Sequence, residues 1–70
     1  MLVNQVAESI KTRRKELEIT QNHLSELSGI SKNTLYKLER GQGNPSLEVL
    51  QKLIDVLGLE INIEVKRVNK

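Results

Sequence analysis

Lys32, Asn33, Thr34, Lys37 and Arg40 stand in the stretch SGISKNTLYKLERG, residues 28–41. Their types could do one kind of chemistry. Lysine donates to guanine O6 or N7, asparagine can bond adenine twice, and a threonine methyl can touch the thymine methyl. Lys37 follows Asn33 by four residues, so on a helix the two share a face. The same side chains also suit a solvated surface, the usual place for polar residues on helices. What positions them decides between the two.

The elements around them read as short helices. Val3, Val6, Ala7, Ile10 and Leu17 recur at helical spacing, with Arg14 on the same stripe. With Asn4 as a cap, a first helix is expected from about residue 4 to 17. Thr20 suits an N-cap, and a second helix over Gln21–Ser28 should bury Leu24 and Leu27. Gly29 ends it, since glycine takes positive φ without steric cost. Ser31 caps a third helix with Leu35 and Leu38 inside, closed by Gly41. Gln42–Pro45 is a loop. Ser46 caps a fourth helix carrying Leu47, Leu50, Leu53, Ile54 and Leu57, which Gly58 stops.

The period then changes. Leu59, Ile61, Ile63 and Val65 alternate with Glu60, Asn62, Glu64 and Lys66. Period two with β-branched residues reads as a half-buried strand. No second strand is visible in the chain. The strand is therefore expected to pair with its copy across a two-fold axis. The alternative is a frayed or helical tail.

Composition narrows the classes. Seventy residues make one small domain, which buries only about 60% of its unfolded surface and needs close packing or self-association. With no cysteine and a single histidine, His23, disulfides and a multi-ligand metal site are not expected. No apolar run reaches membrane-spanning length and no signal-like start is present, so a cytoplasmic location is expected. Net charge is only +2. Positive charge nevertheless gathers at Lys11, Arg13, Arg14 and Lys15 and again at Lys32, Lys37 and Arg40. Lys11, Arg13 and Lys15 read as solvated stems that attract a polyanion at long range. Enzyme readings fail on inventory. GQGNP lacks the lysine of a phosphate loop. Glu16 and Glu18 point in different directions, and His23 has no partner for acid–base work. No cofactor is expected.

Two short helices joined by a glycine-containing break make a helix-turn-helix. Here QNHLSELS leads through GIS to KNTLYKLER, with Ile30 plugging the joint. The second helix of such a unit enters the major groove of duplex DNA and turns its first residues to base edges.

From Arg13 to Gly58 the chain resembles the Cro/repressor-type, or XRE, helix-turn-helix family. The pattern TQ…LS…SGIS…T…LERG…P…L…L…LG carries the likeness. The resemblance implies base contacts from Lys32, Asn33, Thr34 and Lys37. It implies phosphate contacts from Gln21, Arg40 and Asn44. Tyr36 either packs at the domain edge or brings its hydroxyl to a phosphate. Relatives also imply a partly buried salt bridge between Arg14 and Glu39. The small size and terminal strand are similar to HipB-like antitoxins, which dimerise partly through such strands, repress their own operon and bind a kinase toxin.

The expectation is thus a mostly all-α, repressor-like domain of four to five helices over residues 1–58, a dimerisation strand over 59–66 and a flexible tail over 67–70. Its expected partners are double-stranded DNA and a second copy of itself. The expected function is a dimeric repressor on a palindromic operator, with an antitoxin that holds a kinase-like toxin inactive as the alternative.

Overall fold

In a computed structural model the described residues are 2–66, with the side chain of Leu2 left aside. The expected flexible tail at 67–70 lies outside them. Four helices follow one another: α1 (Leu2–Glu16), α2 (Gln21–Ser28), α3 (Lys32–Glu39) and α4 (Leu47–Leu57).

The boundaries are written in local chemistry. The side-chain hydroxyl of Thr20 accepts from His23 N at 3.0 Å, that of Ser31 from Thr34 N at 3.1 Å and that of Ser46 from Val49 N at 3.2 Å. Each cap satisfies an amide that has no partner inside its helix. Gly29 stops α2 with φ 77° and Gly58 stops α4 with φ 69°. At α4 the stop is a Schellman motif. Leu59 N reaches back to Ile54 O at 2.9 Å and Gly58 N to Asp55 O at 3.4 Å.

Ile10, Leu24, Leu35, Leu38, Leu53 and Leu57 are almost wholly buried and bring all four helices to one centre. Full burial of each such side chain is worth about 1.5–3 kcal/mol. Ile30 is buried between α2 and α3, as its place in the joint predicts. Leu27 does not follow its expectation and is 53% exposed. An eight-residue helix presents only a narrow apolar stripe, and Leu24 already fills it. Helix α1 begins at Leu2, so Asn4 lies inside the helix and does not cap it. Its side chain sits against Gly41, where an added Cβ would strike the Asn4 Oδ1. Leu17 falls just past the end of α1 and is partly exposed.

The expected C-terminal β-strand is not there. Residues 59–66 form neither helix nor strand, and the described residues contain no strand at all. The domain is therefore all-α with four helices. A strand is held by a neighbour's hydrogen bonds, and alternation supplies faces without supplying that neighbour. Leu59 is apolar because it is the residue after the glycine stop. It packs on the core, and it lines a groove together with Ile54, as Schellman motifs favour. Ile61 is half exposed in the same groove, while Ile63 and Val65 are 94% and 95% exposed.

Among the described residues one ion pair crosses the fold. Arg14 Nε donates to Glu39 Oε2 at 2.7 Å, and its Nη2 donates to Glu39 Oε1 at 2.9 Å. Arg14 Nη1 also donates to Ile19 O at 2.8 Å, which ties down the α1–α2 connection. Gln21 Nε2 donates to Glu39 Oε1 at 3.0 Å. Glu39 is only 8% exposed. Burial pushes its carboxyl upward. The hydrogen bonds from Arg14 and Gln21, with the charges of Arg14 and Lys11, outweigh burial and hold it below the usual glutamate range. A carboxyl held low in the folded state stabilises the fold above its unfolded pKa, about 4.3. That contribution is lost as pH falls through the lower folded value.

Three outcomes follow for stability. Urea unfolding of Glu39→Gln or Arg14→Met at pH 7 should show a loss of about 3–5 kcal/mol. Between about pH 5 and pH 3, wild type should weaken by more than Glu39→Gln does. Glu18, in the α1–α2 connection, has φ 58°, a left-handed conformation that only glycine and, less readily, asparagine adopt easily. Glu18→Asn should raise stability by about 0.5–1 kcal/mol in the same titration.

Candidate nucleic-acid interface

Helix α3 is set by the turn before it. Ser25 Oγ donates to Ile30 O at 2.6 Å. Ser28 Oγ donates to Leu24 O at 2.7 Å and accepts from Ile30 N at 3.2 Å. Two serines of α2 therefore satisfy both backbone groups of the residue that plugs the joint. The angle between α2 and α3 rests on these bonds and on buried Ile30. Nothing in the spacing of Ser25 and Ser28 along the sequence singles them out as turn residues.

With Leu35 and Leu38 turned inward, α3 shows its other side to solvent. Lys32, Asn33, Tyr36, Lys37 and Arg40 are all exposed, and Thr34 is half buried. Thr34 Oγ1 accepts from Ser31 Oγ at 2.9 Å, which fixes its hydroxyl within the cap. Beside α3 runs the loop to α4. Asn33, Thr34 and Lys37 face Gln42, Gly43 and Asn44 across a cleft of roughly 200 Å³. The structure thus brings Asn33, Thr34, Lys37 and Asn44 together. Gln42, which the sequence did not mark, stands with them. Its backbone N–H donates to Lys37 O at 2.9 Å and holds the loop close to the helix.

The electrostatics of this face are one-sided. Among the described residues, Lys32, Lys37 and Arg40 have no carboxylate within 4.0 Å. Glu39 is the sole acid of α3, and Arg14 neutralises it on the inner side. Arg40 follows α3, and its guanidinium lies over the Tyr36 ring, 5.3 Å from the centroid.

Gln21 opens α2 half buried, with its amide committed to Glu39. One side-chain N–H is spare, and the backbone amides of Gln21 and Asn22 have no partner within the helix. The expected Arg14–Glu39 pair is present. Arg13 differs from its expectation as a free stem. Its Nε donates to Leu57 O at 2.9 Å, clasping α1 to the end of α4, and its Nη1 meets Glu16 at 3.3 Å. Lys15 and His23 are exposed and Lys11 is half buried. No helix among the described residues is long and apolar enough to cross a membrane.

Known proteins share this arrangement of sequence. The helix-turn-helix family model matches residues 10–63. An uncharacterized HTH-type transcriptional regulator of Haemophilus influenzae is 42% identical over 81% of this chain and 58% of its own length. The immunity repressor protein of Bacillus phage phi105 is 37% identical over 81% of this chain and 40% of its own. An uncharacterized HTH-type transcriptional regulator of Methanothermobacter thermautotrophicus is 39% identical over 73% of this chain and 74% of its own. Against the Haemophilus and phage relatives, then, the chain spans about three fifths or less of their length. A matching family model over most of the chain and this run of capped helices lead to one conclusion: the chain belongs to the Cro/repressor-type, or XRE, helix-turn-helix family.

Proposed function

We propose that the protein is a DNA-binding transcription regulator that reads duplex DNA with α3. The observation that carries this reading is the exposed face of α3. Its cations lack acidic partners, and donor-rich Asn33 and Lys37 stand on one side of it. In the major groove, Lys32, Asn33, Thr34 and Lys37 meet base edges. Thr34 offers its methyl to a thymine, and its hydroxyl, which accepts from Ser31 Oγ, keeps its own O–H to donate. Arg40, Asn44 and the spare amides at the start of α2 meet phosphates on either side. The names of the relatives, regulators and a phage repressor, support a role in repression.

A two-fold dimer suits the same reading, since it sets two copies of α3 about 34 Å apart on a palindrome. The side chains of Ile61, Ile63 and Val65, apolar and exposed, support self-association, with Leu59 anchoring that segment to the body. No strand is needed for side chains to pack. The same apolar group is the one feature that favours the alternative, a protein partner such as a kinase-like toxin.

Purified protein titrated into labelled duplex from upstream of its own gene tests the reading by fluorescence anisotropy. Affinity should exceed that for random duplex and fall steeply with salt. Lys32→Ala or Asn33→Ala should cost about 1–3 kcal/mol and relax base preference. Asn44→Ala should weaken all duplexes alike. Equal affinity for random duplex, or a flat salt response, would contradict the reading. For self-association, the double change Ile63→Glu and Val65→Glu should convert a dimer to a monomer in sedimentation. A wild type that sediments as a monomer at all concentrations would remove the dimer.

A further inference from the structure

Tyr36 is the single aromatic side chain of the protein, and it stands out on the recognition surface. It is 50% exposed, so core packing does not account for a ring at this position. It precedes Arg40 by four residues, one helical turn, and the Arg40 guanidinium lies 5.3 Å from its centroid. We propose that Tyr36 serves DNA binding through its ring and not its hydroxyl: it is a positioning residue that holds the Arg40 guanidinium ready for a backbone phosphate. The proposal rests on the DNA-binding reading above.

The chemistry is specific to this pair. A guanidinium is planar, and its five N–H donors lie in that plane. A guanidinium held over a ring face by a cation–π contact spends few of its five N–H donors there and keeps the others for a further acceptor. A phosphate accepts from such donors through two parallel bonds. Arginine carries a long flexible stem, and a stem already resting on a ring loses less freedom when the phosphate arrives. The neighbouring acid does not compete for it. Glu39 precedes Arg40 directly, but both of its oxygens are occupied by Arg14 and one also by Gln21. Arg40 also sits just past the last turn of α3, two residues before Gln42 in the connection to α4. Its guanidinium stands on the Tyr36 side, and the residue lines a shallow cleft with Asn4, Ala7 and Glu8 of α1.

The test separates ring from hydroxyl and both from DNA binding itself. Dissociation constants are measured over a salt series for wild type, Tyr36→Phe, Tyr36→Leu, Arg40→Ala and the double variant Tyr36→Leu/Arg40→Ala. Tyr36→Phe should bind within about twofold of wild type. Tyr36→Leu should bind about 2- to 5-fold more weakly, the range of an exposed cation–π contact. Arg40→Ala should bind more weakly still, with a salt slope smaller by about 1. The double variant should be no weaker than Arg40→Ala. The pairing is also read without DNA. By NMR the Arg40 side-chain protons should be shifted upfield by the ring in wild type and Tyr36→Phe, and should return to ordinary values in Tyr36→Leu. The proposal is overturned by any of three results: Tyr36→Phe as weak as Tyr36→Leu, additive losses in the double variant, or no ring shift in the free protein. A wild type that binds no duplex yet shows the ring shift fails the functional reading, and the proposal with it, while leaving the contact itself intact.

Discussion

The ion pair between Arg14 and Glu39 is the constraint on which the remaining arrangement depends. Arg14 comes from α1, Glu39 ends α3, and Gln21 from the start of α2 completes the set. Leucine and isoleucine hold the three helices together, but apolar attraction itself has no direction and sets their placement only through the fit of side-chain shapes. A bidentate guanidinium–carboxylate pair has direction. Its satisfied geometry narrows the mutual placement of α1 and α3. Among the described residues no buried side-chain nitrogen or oxygen is left without a partner. A buried pair of this kind need not add net stability over a hydrocarbon substitute, but leaving one member alone is costly. Its value lies in placement, and the thing placed is α3.

The same pair shapes the electrostatics. By drawing Glu39 inward it removes the one negative charge of α3 from the exposed side. Lys32, Lys37 and Arg40 are left unopposed there. A chain with a net charge of only +2 thus shows a concentrated cationic surface at one place. Charge counted along the sequence understates this, because counting ignores which charges are cancelled inside.

How much of this could be read in advance depended on how local the cause was. Thr20, Ser31 and Ser46 were legible as caps, and Gly29 and Gly58 as stops, because each works through its own neighbours. The exposed residues of α3 were legible because their leucine counterparts marked the inner side. Leu27 was not, since its exposure depends on how little space α2 has against the other helices. Leu59 misled for a different reason. A hydrophobe after a glycine stop and the first inward residue of a strand look identical in one chain, and only the presence of a neighbour tells them apart. Arg13 was expected as a solvated stem and Gln21 as a phosphate contact, yet each serves a partner distant in sequence: Leu57 O and Glu39. Side-chain bonds across such separations leave no periodic trace. The serine bonds that hold the turn are short-range, but serine is too common on helices for two of them to signal a staple.

On the proposed reading this framework delivers α3 into a major groove. Dimethyl sulfate footprinting on the duplex upstream of the gene addresses it most directly, since the reagent marks guanine N7 in the major groove and adenine N3 in the minor. Guanine N7 should be protected in two patches about 34 Å apart along one side of the helix, with adenine N3 between them still reactive. Protection confined to adenine N3, or spread evenly along the duplex, would contradict it.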